Sequence, residues 1–168
     1  AIGSAVSGST LFLETGEYFS EKKIKITKDI TIIGDIGGAT IIAANKNIKK
    51  PIDYLFRVEE NVTFKLSHVF IDGKNSNLKY AIVSPDKLQG ASYNLFVDTV
   101  TFQNFKNKKG GSVFKAYNGT KADTLSFVNS RFENNFRGLN LSYDNKNMGM
   151  FNANFIVLKK DFLFSRKN

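Results

Sequence analysis

Three charged side chains crowd one short stretch, Asn129-Ser-Arg131-Phe-Glu133-Asn-Asn-Phe-Arg137. A guanidinium can neutralise a carboxylate on a bound molecule, and a neighbouring glutamate can then abstract a proton from it. Alternation in an extended chain puts Arg131 and Glu133 on one face and Phe132 on the other. The same pair also reads as a solvated surface ion pair, which contributes little energy. Further cations come from Lys106, Lys108 and Lys109, and from the clusters Glu21-Lys-Lys-Ile-Lys-Ile-Thr-Lys28 and Lys46-Asn-Ile-Lys-Lys50.

With 24 Lys+Arg against 15 Asp+Glu, the net charge is +9. That balance points to an acidic partner: an anionic polysaccharide, nucleic acid or an anionic membrane surface. The alternative is a surface charge that only keeps the chain soluble. Nucleic acid is disfavoured, because the clusters are lysine without arginine and no recognition helix or base-stacking motif is visible. Tyr54, Tyr80 and Tyr93 fall near the basic loops and would offer rings to sugar faces.

Other chemistries find little support. There is no Cys, which excludes disulfides, thiolate metal sites and thiol nucleophiles. The single histidine, His68, has no second histidine to share a metal with, and it reads as a polar residue bonding backbone at a bend. Asp72, Asp98, Asp123 and Asp144 lack the spacing of a calcium loop, so no metal and no cofactor is expected from the residues themselves. Gly37-Gly38 and Gly110-Gly111 read as turns rather than phosphate cradles. No run of 18 apolar residues suggests a membrane-spanning helix, and no charged-then-apolar leader is visible.

The elements that must hold these side chains repeat. Leu125-Ser-Phe127-Val-Asn129-Ser-Arg131-Phe132-Glu-Asn134 matches Leu95-Phe-Val97-Asp-Thr99-Val-Thr101-Phe102-Gln-Asn104. It also matches Phe64-Lys-Leu66-Ser-His68-Val-Phe70-Ile, with Phe70 one position out of step. A further copy is expected at Met148-Gly-Met150-Phe-Asn152-Ala-Asn154-Phe155, and an early one at Ile30-Thr-Ile32-Ile-Gly34-Asp35. Each copy alternates apolar residues at period two, bends at a small or polar residue, then presents another apolar residue. A second short apolar run precedes each: Phe56-Arg-Val58, Ala81-Ile-Val83, Val113-Phe114 and Leu139-Asn-Leu141. About three short strands per unit, with no room for a crossover helix, predict an all-β, right-handed parallel β-helix of about five coils. A β-sandwich or antiparallel barrel would instead need hairpin turns, for which Asp72-Gly73 and Asn118-Gly119 are the candidates.

The opening stretch supports stacked coils. Gly8-Ser-Thr10-Leu11-Phe-Leu13-Glu-Thr-Gly16-Glu-Tyr18, then Ile30-Thr-Ile32-Ile-Gly34, then Asn129-x-x-Phe132-x-Asn134 resembles the pectin-lyase-like β-helices. The likeness is to the chondroitinase B and alginate lyase type of polysaccharide lyase, over most of the chain. The resemblance implies a carbohydrate-active module of a secreted, cell-surface or periplasmic bacterial protein. It would bind an acidic, uronate-containing polysaccharide and cleave it by β-elimination in the full-length form. In the resembled lyases a Lys acts as base beside an Arg, and Asn and Glu residues bind Ca²⁺. Their Glu-x-Ile-x-x-x-Lys and Leu-Arg-His-Gly motifs are not found here, so no catalytic residue carries over, and Ca²⁺ is implied by resemblance alone. The different expectation is a non-catalytic structural or adhesin-type β-helix docking to protein partners. Residues 1–168 read as a single β-helix domain, the N-terminal part of a longer solenoid, whose C-terminal end would be covered by further coils or a partner chain.

Overall fold

The computed structural model describes residues 1–45, 47, 52–74, 78–85, 91–107, 110–117 and 119–141, together with the backbone of 152–158 and 163–165. Its strands come in consecutive triplets. The first is β1 (Ser9–Leu13), β2 (Gly16–Ser20) and β3 (Ile24–Ile26). The second is β4 (Ile30–Gly34), β5 (Thr40–Ala44) and β6 (Tyr54–Val58). The third is β7 (Thr63–Ser67), β8 (Phe70–Asp72) and β9 (Tyr80–Val83). The fourth is β10 (Ser92–Asp98), β11 (Thr101–Gln103) and β12 (Ser112–Ala116). The fifth is β13 (Lys121–Val128), β14 (Arg131–Glu133) and β15 (Leu139–Leu141), followed by β16 (Asn152–Leu158) and β17 (Leu163–Ser165).

Each member of a triplet joins a different sheet. The first sheet stacks β1-β4-β7-β10-β13-β16, the second β2-β5-β8-β11-β14-β17, and the third β3-β6-β9-β12-β15. Every strand pairing among them is parallel. This is an all-β parallel β-helix, and the hairpin alternative falls, because a hairpin turn joins antiparallel strands. The connections of the second, third and fourth triplets contain residues outside the described set, so fewer unbroken turns are described than the five coils expected.

The inward columns are those expected from the alternation. Ile30, Phe64, Leu95 and Leu125 stack in one register, and Ile32, Leu66, Val97 and Phe127 in the next. All eight are buried. Stacking lets aromatic rings meet from coil to coil, with Phe102 5.3 Å from Phe132 and Phe114 6.2 Å from Phe127, and across the corner within one coil, with Phe127 5.8 Å from Phe132. Such ring pairs add about 0.5–1.5 kcal/mol each beyond the area they bury.

One register expectation holds and one is corrected. Phe70 is one position out of step, as expected: Phe102 pairs with Ile71, so Ile71 is the inward residue of that coil and Phe70 is left exposed. The last copy shifts: Asn152 pairs with Lys121, while Ile156 and Leu158 pair with Leu125 and Phe127. Asn152-Ala-Asn154-Phe155 mimicked the Asn-x-x-Phe bend chemically, but the residues in register with Leu125 and Phe127 are Ile156 and Leu158. Asn152 therefore does not belong to the bend column.

Tyr93 is an apolar choice with a polar cost. It is 1% exposed, and its hydroxyl finds no hydrogen-bond partner among the described residues. Burial pushes its phenol well above the ordinary range. Tyr93→Phe should therefore stabilise the fold by about 1 kcal/mol, read as a higher denaturant midpoint at unchanged slope. A lower midpoint would show that the hydroxyl is satisfied.

Candidate functional site

The corner between the first and second sheets is the most regular part of the molecule. In the third, fourth and fifth triplets it is two residues long: His68-Val69, Thr99-Val100 and Asn129-Ser130. The first residue of each pair has a left-handed backbone, with φ of 55°, 55° and 49°. The second, Val69, Val100 or Ser130, is buried. Reversing direction within two residues demands such a conformation, which Asn tolerates, His less so, and a β-branched Thr poorly.

In the second triplet the same corner is longer, spanning residues 35–39, and Gly34 stands where His68 stands one coil on. A Cβ at Gly34 would lie 2.1 Å from the His68 carbonyl oxygen, so only glycine allows the coils to approach there. Asp35 anchors this longer turn. The Thr15 hydroxyl donates to its carboxylate at 2.5 Å and the Gly37 N–H at 2.9 Å. Those two bonds hold the Asp35 carboxyl below its usual range.

Just past the bends, the first residues of β8, β11 and β14 form an outward column, Phe70, Thr101 and Arg131. Two residues on, Asp72, Gln103 and Glu133 form a second. A groove of about 540 Å³ runs along the bends, bounded by Asp35 at one end and Arg131 and Asn129 at the other, with His68, Thr99 and Phe70 between. Strands lie about 4.8 Å apart, so three steps from the second coil to the fifth span about 14 Å.

Arg131 and Glu133 face out together, as expected. The guanidinium stands 3.6 Å from the carboxylate, with both side chains largely in solvent (59% and 41% exposed). At that exposure the pair adds little stability. Arg137 is not gathered with them. Its carbonyl accepts the Val113 N–H of the third sheet, and its guanidinium lies 5.2 Å from the Phe136 ring. Its charge is felt by Lys115, whose ammonium is lowered by burial and then by Arg137, and by Tyr80, whose phenol is raised by burial and Asp53 against it. Lys106 is exposed beside a separate hollow of about 230 Å³ with Lys74 and Asn104. Lys108 and Lys109 lie outside the described residues, as do Lys46, Lys49, Lys50, Asn118 and Asp144.

The polar ladder at the corners differs from the one expected. His68 Nδ1 is buried and makes no hydrogen bond among the described residues. The Asn129 amide donates to the Asp98 carboxylate at 3.0 Å rather than to backbone, and so does the Thr99 hydroxyl. The backbone is served one position later, where Ser130 Oγ donates to the Val128 carbonyl and accepts the Val100 N–H. A second ladder, not foreseen, runs along the next corner. Asn134 donates to Asn104 at 2.8 Å, and Asn104 donates to Asp72 at 3.0 Å. There Asn135 bonds the Phe102 carbonyl and the Phe105 N–H. The signal for it was the recurrent Asn at 104 and 134.

Other expectations move as well. Tyr54 and Tyr93 are buried and Tyr80 half-buried, so the first two are core residues rather than sugar platforms. Among the described residues, the exposed rings are instead Phe12, Tyr18, Phe19, Phe70 and Phe136. Lys23 pairs with Asp53 at 3.2 Å and covers the Tyr54 ring, while Lys28 ties down the Gly3 and Ala5 carbonyls. Those two lysines serve the structure. Asp123 accepts the Ser92 hydroxyl. Among the described residues, no group of three or more His, Asp or Glu side chains could hold a metal ion, and no helix is long and apolar enough to cross a membrane.

No family model matches this chain, and no curated protein does. Among solved structures, the PL6 family alginate lyase AlyGC superposes on it with a TM-score of 0.80 at 23% identity, over 92% of this chain and 21% of the lyase. A point mutant of the same lyase gives a TM-score of 0.77 with the same identity and coverage. The chain thus spans about one fifth of the length of the lyase it resembles. At that identity the likeness speaks to the backbone, and what it establishes is that this chain folds as the kind of parallel β-helix an alginate lyase contains.

Proposed function

We propose that this chain supplies about five coils of a right-handed, carbohydrate-active β-helix in a secreted or cell-surface protein. It binds an acidic, uronate-containing polysaccharide through the outward face of the second sheet. The exposed Arg131 beside the bend groove carries this assignment: a cation in solvent, paired among the described residues only with Glu133, that can meet a sugar carboxylate, on a fold shared with an alginate lyase. The net charge of +9 draws a polyanion toward the protein. Cleavage, in the full-length protein, would be β-elimination. The proton on the carbon bearing the carboxylate goes to a base, the C–O bond on the neighbouring ring carbon breaks, the departing oxygen takes a proton from an acid to become a hydroxyl, and the new end carries a carbon–carbon double bond. Residues for that step are not assigned within this chain.

The test is direct. Pass the protein over immobilised alginate, pectate and chondroitin sulfate, and in parallel follow the ultraviolet absorbance of unsaturated uronate. Retention that weakens steeply with salt is expected. No retention on any of the three would reject the proposal, and retention without new absorbance would confine this chain to binding.

One observation favours a second proposal, a non-catalytic β-helix that docks to protein. Leu11, Leu13, Phe19 and Ile24 line an apolar hollow of about 700 Å³ at the first coil. Salt-independent capture of a protein partner, lost on Phe19→Ser, would favour it.

A further inference from the structure

The groove along the first corner holds one residue in the wrong backbone for its type. Thr99 has φ of 55°, as His68 does, where Asn129 sits comfortably at 49°. A β-branched residue there is a true outlier, and such strain persists where a side chain is wanted for something other than stability. The fold's own needs do not call for either side chain. The bend backbone is served by Ser130, the Thr99 hydroxyl reaches only the exposed Asp98, and the imidazole Nδ1 has no partner among the described residues. Asparagine in place of Thr99 would suit the bend better, as Asn129 does in the next coil.

We propose that the column His68, Thr99 and Asn129, with Phe70 and Arg131, forms a subsite for a short run of a uronate oligosaccharide lying parallel to the helix axis. This rests on the polysaccharide assignment above and adds the residues and the axis along which the sugar lies. Arg131 takes a sugar carboxylate by a charge-assisted pair. The exposed edge of Phe70 packs against a sugar face, and the bend side chains bond sugar hydroxyls. Asp35 bounds the other end as an anion, so the sugar carboxylate that is paired lies at the Arg131 end of the groove. Successive sugars meet successive coils, since the bend repeats at every strand spacing of about 4.8 Å.

The experiment uses His68→Asn, Thr99→Asn and Arg131→Gln, with size-fractionated alginate oligosaccharides as the probe. Affinity is read by calorimetry and folding by thermal melting. Thr99→Asn should raise Tm by about 2 °C, because the backbone strain is relieved, and His68→Asn should not lower it. The same variants should weaken binding several-fold, and Arg131→Gln by about tenfold, with Tm unchanged. If all three variants bind as tightly as the unaltered protein, the subsite is wrong while the polysaccharide assignment stands. Failure of the unaltered protein to bind any oligosaccharide or the parent polymer removes both. A fall in Tm on His68→Asn and Thr99→Asn would show that the fold itself requires those side chains, which overturns the proposal from the other side.

Discussion

Phe127→Ala should cost about 3–5 kcal/mol, the largest loss expected from any single truncation in the column. Phe127 is fully buried, and its ring lies 6.4 Å from Phe102, 6.2 Å from Phe114 and 5.8 Å from Phe132. Those three rings come from both neighbouring sheets and from two coils, so the space left behind is walled by backbone fixed in parallel ladders and cannot close by a single side-chain shift. Equilibrium unfolding in urea measures it, as a drop in midpoint with little change of slope. A loss below about 1 kcal/mol would mean that the column repacks freely, contrary to its register. Phe12→Ala is the matched control, because that ring is 76% exposed and its removal should leave stability within about 0.5 kcal/mol.

The second large effect is a single added methyl. Gly34→Ala would place Cβ 2.1 Å from the His68 carbonyl oxygen, 2.8 Å from Val69 Cγ1 and 2.9 Å from Thr40 Cβ. The first of these is backbone of the next coil, held at the tightest part of the bend, so relief requires moving the coil rather than rotating a side chain. A cost of about 3 kcal/mol or more follows. Gly37→Ala, three residues away, meets only the Asp35 carboxylate at 3.7 Å and should be nearly neutral. Comparing the two melting curves isolates the close approach from any general intolerance of the loop. Equal curves would refute the packing described at Gly34.

The columns were legible because the β-helix writes its interior as spacing. Leu125, Phe127 and Phe132 point inward as their alternation required, and the third strand of each coil lies where the short apolar runs stood. Legibility ended where the same residue type serves two purposes. An Asn can hold a left-handed bend, as Asn129 does, or stand in a strand, as Asn152 does, and composition alone does not separate them. A Tyr can be a platform or a core residue, and Tyr93 is core because its position in β10 faces the column. The pairing of Arg131 with Glu133 was readable from two-residue alternation within one strand. The separation of Arg137 was not, because it depends on how the chain turns after Glu133 toward the third sheet. The groove was hidden for a related reason: its wall is assembled from residues about thirty positions apart, visible only once the register is known.

The two-residue corner has a consequence for how such a chain can change. Inserting one residue between Asp98 and Thr101 would turn every side chain of β11 to the opposite face, sending Phe102 outward and Thr101 in. The other two corners carry no such constraint, and their connections already differ in length from coil to coil. From the third triplet to the fifth, one edge of the molecule thus works as a fixed-pitch thread that keeps the coils in phase. The others are open sockets where sequence can be added without the thread losing count.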